Sequence, residues 1–158
     1  MKGTDQTQIV RQADLQAFNG LVLACQDEAF TLACSMLGDE GLACEVVQAV
    51  ILRVYTRRGD AGHPIPVKVL QGVIGMCRQA KPSKIPDLTE SICGWNQLER
   101  CEQEALLLVD WLGKTYHDTA FILNSSERDV ARNVAYGRCK LTRGFTPESN
   151  KCQGKVDS

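Results

Sequence analysis

Positions 123–126, Leu-Asn-Ser-Ser, constrain the fold of this chain more than any other stretch. Asn124 tolerates the left-handed conformation in which helices end, and a serine at 126 suits the cap of a following helix. On either side the apolar residues keep helical spacing: Ala120 and Leu123 before the turn, Val130, Val134 and Leu141 after it. Residues 111–141 therefore read as a short helix, a tight turn and a second helix, the pattern of a helix-turn-helix. The second helix begins near Glu127. Within it Val130, Val134, Gly137 and Leu141 make one buried stripe, which leaves Arg128, Ala131, Arg132, Ala135 and Arg138 on other faces, where they can meet DNA.

The rest of the chain is also helical in pattern. Leu15, Phe18, Leu21, Val22, Cys25, Ala29, Phe30, Ala33 and Leu37 recur at three and four, which predicts one or two amphipathic helices over 13–37 with a break near Gln26 and Asp27. Gly38 and Asp39 stop that pattern. A helix over about 40–57 follows and is apolar nearly all round, so it is expected at the centre of a bundle. Pro64 and Pro66 punctuate a turn-rich loop, and the next helix, about 67–79, is weakened by Gly72 and Gly75. Pro82 and Pro86 then interrupt helical propensity until Leu98, where a helix to about Leu112 begins. With no β-alternation and no internal repeat, the expected fold is all-α, in two small helical domains: residues 10–80 and 97–144. A linker, 81–96, joins them, with Trp95 docking on one of the two, and 145–158 is a polar, flexible tail.

Composition narrows the function classes. A formal charge of -1 argues against a protein that coats nucleic acid without specificity, since such binding draws its strength from phosphate neutralisation. The placement of charge matters more: Arg128, Arg132, Arg138, Lys140 and Arg143 stand against Asp129 alone, just after an acidic stretch containing Glu99, Glu102, Glu104, Asp110 and Asp118. No run of eighteen apolar residues occurs and the N-terminus is polar, so no membrane insertion and a cytoplasmic location are expected. The eight cysteines show no Cys-x-x-Cys and no closely spaced His, and read as reduced core thiols, with Cys93 and Cys152 in loops. His63 and His117 stand alone in the sequence. No enzyme, cofactor or metal site is expected.

Two separate motifs carry a resemblance. Residues 38–55, a Gly-Asp turn followed by Ala43, Glu45, Val46, Val47, Gln48 and an aliphatic run, resemble the clamp-docking helix of bacterial RNA polymerase sigma factors of the extracytoplasmic-function type. Residues 100–141 are similar to that family's promoter-binding domain, in which an aliphatic helix precedes a turn and a recognition helix ending in a Gly-Arg pair and a Leu. The resemblance spans roughly 13–143. It implies core RNA polymerase and promoter DNA as partners, with an anti-sigma factor as a further one. The implied DNA-binding residues are Ser126, Glu127, Arg128, Ala131, Arg132 and Arg138; the polymerase-binding ones are Glu45, Gln48 and Arg53. Glu45 replaces the usual Asp, and Asp118, Thr119 and Ala120 replace Glu-Ile-Ala. The helix expected at about 67–79 departs further, reading Val69, Leu70 and Met76. The stretch from Arg57 to Lys84 around it has Arg57, Arg58, Lys68, Arg78, Lys81 and Lys84 but no Trp, Phe or Tyr on which an unstacked base could rest. The alternative expectation is thus a sigma-like decoy that binds an anti-sigma factor or polymerase without opening promoters.

Overall fold

A computed structural model describes residues 3–57, 62–80 and 94–143 of the 158. Those residues are all-helical: α1 (Gly3–Leu37), α2 (Glu40–Thr56), α3 (Ile65–Gln79), α4 (Arg100–Leu106), α5 (Tyr116–Leu123) and α6 (Glu127–Arg143). A single 3₁₀ turn, Trp95–Gln97, precedes α4, and a wider π turn, Leu107–Trp111, extends it. Most of the linker expected at 81–96 and the whole tail at 145–158 lie outside the described residues, as do Cys93 and Cys152.

The helices fall into two groups, α1 to α3 and α4 to α6, and α3 packs on α5 to join them. One contiguous apolar core runs through both, from Ala29, Leu32 and Leu37 through Leu70, Val73 and Ile74 to Leu108, Ile122 and Val134. Polar links cross the same junction. Gln71 Nε2 of α3 donates to the Phe121 carbonyl at 2.9 Å. Lys114 lies 2.6 Å from Glu28 of α1. Arg78 at the end of α3 pairs with the buried Glu104 of α4 at 2.6 Å, while Arg100 holds the other carboxylate oxygen at 3.1 Å.

Three expectations change. α1 does not break near Gln26 and Asp27 but runs unbroken for 35 residues, about 52 Å at 1.5 Å per residue. Both polar residues keep helical geometry, Gln26 and Asp27 being exposed beside a continuous buried stripe of Phe18, Cys25, Ala29, Leu32 and Ala33. Within Gln8–Leu37 a stretch of eighteen residues reaches a mean hydropathy of 1.2, a length and composition that a membrane span and the core helix of a bundle share, and the C-terminal half of the helix is committed to the core. Residues 8–17 are exposed throughout, because α1 is twice the length of α2 and runs past the Phe18–Tyr55 edge contact (5.0 Å) at which α2 ends.

Nor is α2 the central helix. Ala43, Val46, Val47 and Val50 are buried, but Cys44, Glu45, Gln48 and Ala49 are exposed, and Leu52 is 66% exposed. The centre is α3, which contacts α1, α2 and α5 and buries six residues in 15. Gly72 makes this possible: a Cβ there would come within 2.6 Å of Val50 Cγ1, so the missing side chain lets α2 and α3 approach. The glycine that weakens the helix by itself strengthens the packing.

In the C-terminal group Gly137 does the same for α6 and α4, where a Cβ would meet Leu106 Cδ1 at 2.7 Å. Trp95 is buried and docks on this group, its carbonyl accepting from Gln103 Nε2 at 3.0 Å. Of six described thiols only Cys25 and Cys77 are buried, while Cys44, Cys101 and Cys139 are exposed, so the core-thiol expectation holds for a minority. Burial pushes Cys77 up to about 12, which keeps it protonated and inert.

Candidate nucleic-acid and partner interfaces

The turn at 123–126 forms as its residue types dictate. Asn124 is left-handed (φ 52, ψ 53), Ser125 N–H reaches back to the Ala120 carbonyl at 2.8 Å, and Asn124 N–H bonds the Phe121 carbonyl at 3.1 Å. These are the two hydrogen bonds of a Schellman ending. Ser126 Oγ then accepts from Asp129 N–H at 3.1 Å and donates to its carboxylate at 2.7 Å, a reciprocal cap that starts α6. Thr115 and Asp118 repeat the device at the start of α5. The αL residue and the Ser126 cap thus form the turn between α5 and α6 from local chemistry.

Val130, Val134 and Gly137 are buried and Leu141 half-buried, so α6 presents its opposite side to solvent. Arg128, Arg132 and Ala135 are exposed along it, and Ala131 is half-buried at its edge. Among the described residues Arg128 makes no ion pair. Arg132 pairs with Asp129 at 2.8 Å, an exposed contact of about 1 kcal/mol or less, which a phosphate or base edge can displace. Ser126 is occupied by its capping bonds, and Glu127 by His117 Nδ1 at 2.9 Å.

Arg138 is different. Its Nε donates to Asp110 at 3.0 Å and its Nη2 to the other oxygen, a bidentate brace between α6 and the π turn. Lys140 likewise lies 2.8 Å from Glu102, a carboxylate only 3% exposed. Burial pushes Glu102 up, but the Lys140 ammonium and the Glu99 N–H outweigh it and hold the carboxyl below its ordinary value. The basic run of α6 is therefore partly neutralised by the acidic stretch before it. What remains for a ligand is the N-terminal half, Arg128 and Arg132.

Tyr136, 58% exposed, lies four residues beyond Arg132 on the same outward side, beside the exposed Cys139. Helical spacing from Arg128 and Arg132 points to it, although it is neither basic nor small like the residues expected to meet DNA. On α2, Glu45, Gln48 and Arg53 are all exposed. Gln48 Nε2 lies 3.4 Å from Cys44 Sγ, and Leu52 adds an exposed apolar side chain beside them.

Of the basic residues expected near α3, Arg78 is spent on Glu104, and Arg58, Lys81 and Lys84 lie outside the described residues. His63 and His117, isolated in sequence, come together with ring centroids 6.0 Å apart, and His63 stacks on Phe121 at 3.5 Å. Among the described residues no three His, Cys, Asp or Glu side chains are grouped to hold a metal.

No protein-family model matches the chain, and no curated protein matches it either.

Proposed function

We propose that this chain is a sigma-factor-like initiation protein of the cytoplasm. It joins core RNA polymerase through the outer face of α2 and reads promoter DNA through a helix-turn-helix formed by α5 and α6. The observation that carries the reading is α6 itself: Ser126 caps it after a tight αL turn, and Arg128 and Arg132 stand exposed in its first turns. That part of such a helix reaches base edges when it enters a major groove. Tyr136 extends the contact surface. On α2 the exposed Glu45, Gln48 and Leu52, on one side by helical spacing, form a mixed apolar and polar patch suited to a protein partner, with Arg53 at its edge toward α3.

Arg128→Ala and Arg132→Ala are each expected to lower affinity for a selected duplex by about 1–3 kcal/mol, the range for one base-directed arginine, with helicity unchanged. Gel-shift titration checks this, and unchanged affinity in both variants removes α6 from the interface. Because Cys139 and Cys44 are exposed on the two faces, alkylation reads each one separately: duplex should slow modification of Cys139, and core polymerase that of Cys44. Replacing Glu45 and Gln48 together by Lys should abolish co-purification with polymerase.

A second reading is favoured by the spent charges. Arg138 and Arg78, two of the cations available for DNA, are braced on Asp110 and Glu104. A sigma-like decoy, which holds polymerase or an anti-sigma factor without opening promoters, needs neither. Transcription from any genomic fragment by the protein plus core polymerase would decide for the first reading.

A further inference from the structure

A cleft of about 450 Å³ lies between the two helical groups, where the end of α2, the loop before α3 and one side of α3 meet Phe121 of α5. Its size falls within the range of small-molecule sites. Arg53 and Arg57, one helical turn apart, line it together with His63, and among the described residues no carboxylate lines it. On a chain of net charge -1 that is a local concentration of positive charge.

The other walls are of a different kind. Phe121, stacked on His63 at 3.5 Å, brings an aromatic surface into the cleft. Gln71 spends one N–H on the Phe121 carbonyl, which fixes its amide and leaves its oxygen to accept. The floor is open at Gly75, where a Cβ would meet nothing within 4 Å, in contrast to the tightly packed Gly72.

We infer that this cleft binds a free nucleoside phosphate, with its phosphates on Arg53 and Arg57 and its base against the Phe121–His63 pair and the Gln71 amide. Guanidinium forks match phosphate oxygens bidentately, and an aromatic face with an adjacent amide is what a purine or pyrimidine needs for stacking and edge recognition. A free nucleotide fits better than a strand because the cleft has the volume of one small molecule and a single stacked pair, Phe121 on His63, as its aromatic surface among the described residues, while a strand needs successive stacking platforms. Occupancy would tie the two groups together, since each supplies part of the site.

This inference does not depend on DNA binding by α6. The test is calorimetric titration of the full chain with ADP, GDP, inorganic pyrophosphate and an oligothymidylate. A nucleoside diphosphate should bind saturably and more tightly than pyrophosphate. Gly75→Leu, whose side chain enters the open floor, should weaken it by about tenfold or more while helicity and duplex binding stay unchanged. Should that variant fold poorly, the double variant Arg53→Gln and Arg57→Gln, on exposed positions, should show the same loss. Pyrophosphate binding as tight as the nucleotides, preference for the oligothymidylate, wild-type affinity in the filled or neutralised cleft, or no heat with either nucleotide would each overturn the assignment.

Discussion

The two helical groups solve the same packing problem with different materials. In the N-terminal group the hub helix α3 buries Val67, Val69, Leu70, Val73, Ile74 and Cys77, and no charged side chain of α1 to α3 is buried among the described residues. The C-terminal group has shorter helices and buries two carboxylates, Glu102 and Glu104, each paired with a half-exposed cation. The longer helices supply enough apolar surface to hold by burial alone. The shorter ones rely on fixed turns and on charges whose geometry sets how α4 meets α6 and α3.

The largest expected effect comes from breaking the apolar side of this contrast. Leu70→Ala, at a fully buried position, should destabilise the protein by about 2–5 kcal/mol, through lost burial and the cavity left behind. Urea unfolding measures it. Both tryptophans, Trp95 and Trp111, belong to the C-terminal group, so their fluorescence compared with helicity shows whether the groups unfold together. Because one core runs through both, the two transitions should coincide. Separate transitions would show the two expected domains unfolding independently.

A smaller effect is expected from Arg78→Ala, which leaves Glu104 buried with Arg100 alone. A loss of about 1–3 kcal/mol follows from an under-satisfied buried carboxylate. Arg100→Ala, which removes a more exposed partner, should cost less, and equal losses would show that the bridge to α3 has no special weight.

The pH dependence should separate the groups further. Glu102 has its folded pKa lowered, so its stabilising contribution is present above the ordinary value near 4.5 and is lost as pH falls through the folded pKa. Lys140, its partner, is raised by the Glu102 hydrogen bond, so its contribution is present below 10.5 and is lost as pH rises through the raised value. Tryptophan-detected stability should therefore decline at both ends, and Glu102→Gln should flatten the acid limb. An unchanged acid limb in that variant would assign it to other carboxylates.

The smallest effect belongs to Thr119, fully buried on α5 with a hydroxyl that has no hydrogen-bond partner among the described residues. Thr119→Val removes an unpaired polar atom at constant shape and should stabilise by up to about 1 kcal/mol. Destabilisation would show that the hydroxyl has a partner in solution.

What the sequence determined alone is the chemistry confined to a few neighbouring residues. Asn124 and Ser126 carry their own turn and cap, and Val130, Val134 and Gly137 fall on one side of a helix by spacing alone; the α5 and α6 pair was legible for that reason. The exposure of Glu45 and Gln48 on α2 follows from the same periodicity. Only the tertiary structure decided which helix is central, since that depends on Gly72 meeting Val50 rather than on the apolarity of either helix. It also decided that Arg138 and Arg78 answer Asp110 and Glu104, across 28 and 26 residues, and that Phe121 closes a cleft with His63 and Gln71. Propensity and spacing act over one or two helical turns, whereas charge neutralisation and cavity formation depend on distance in space, and the chain must fold before those distances exist.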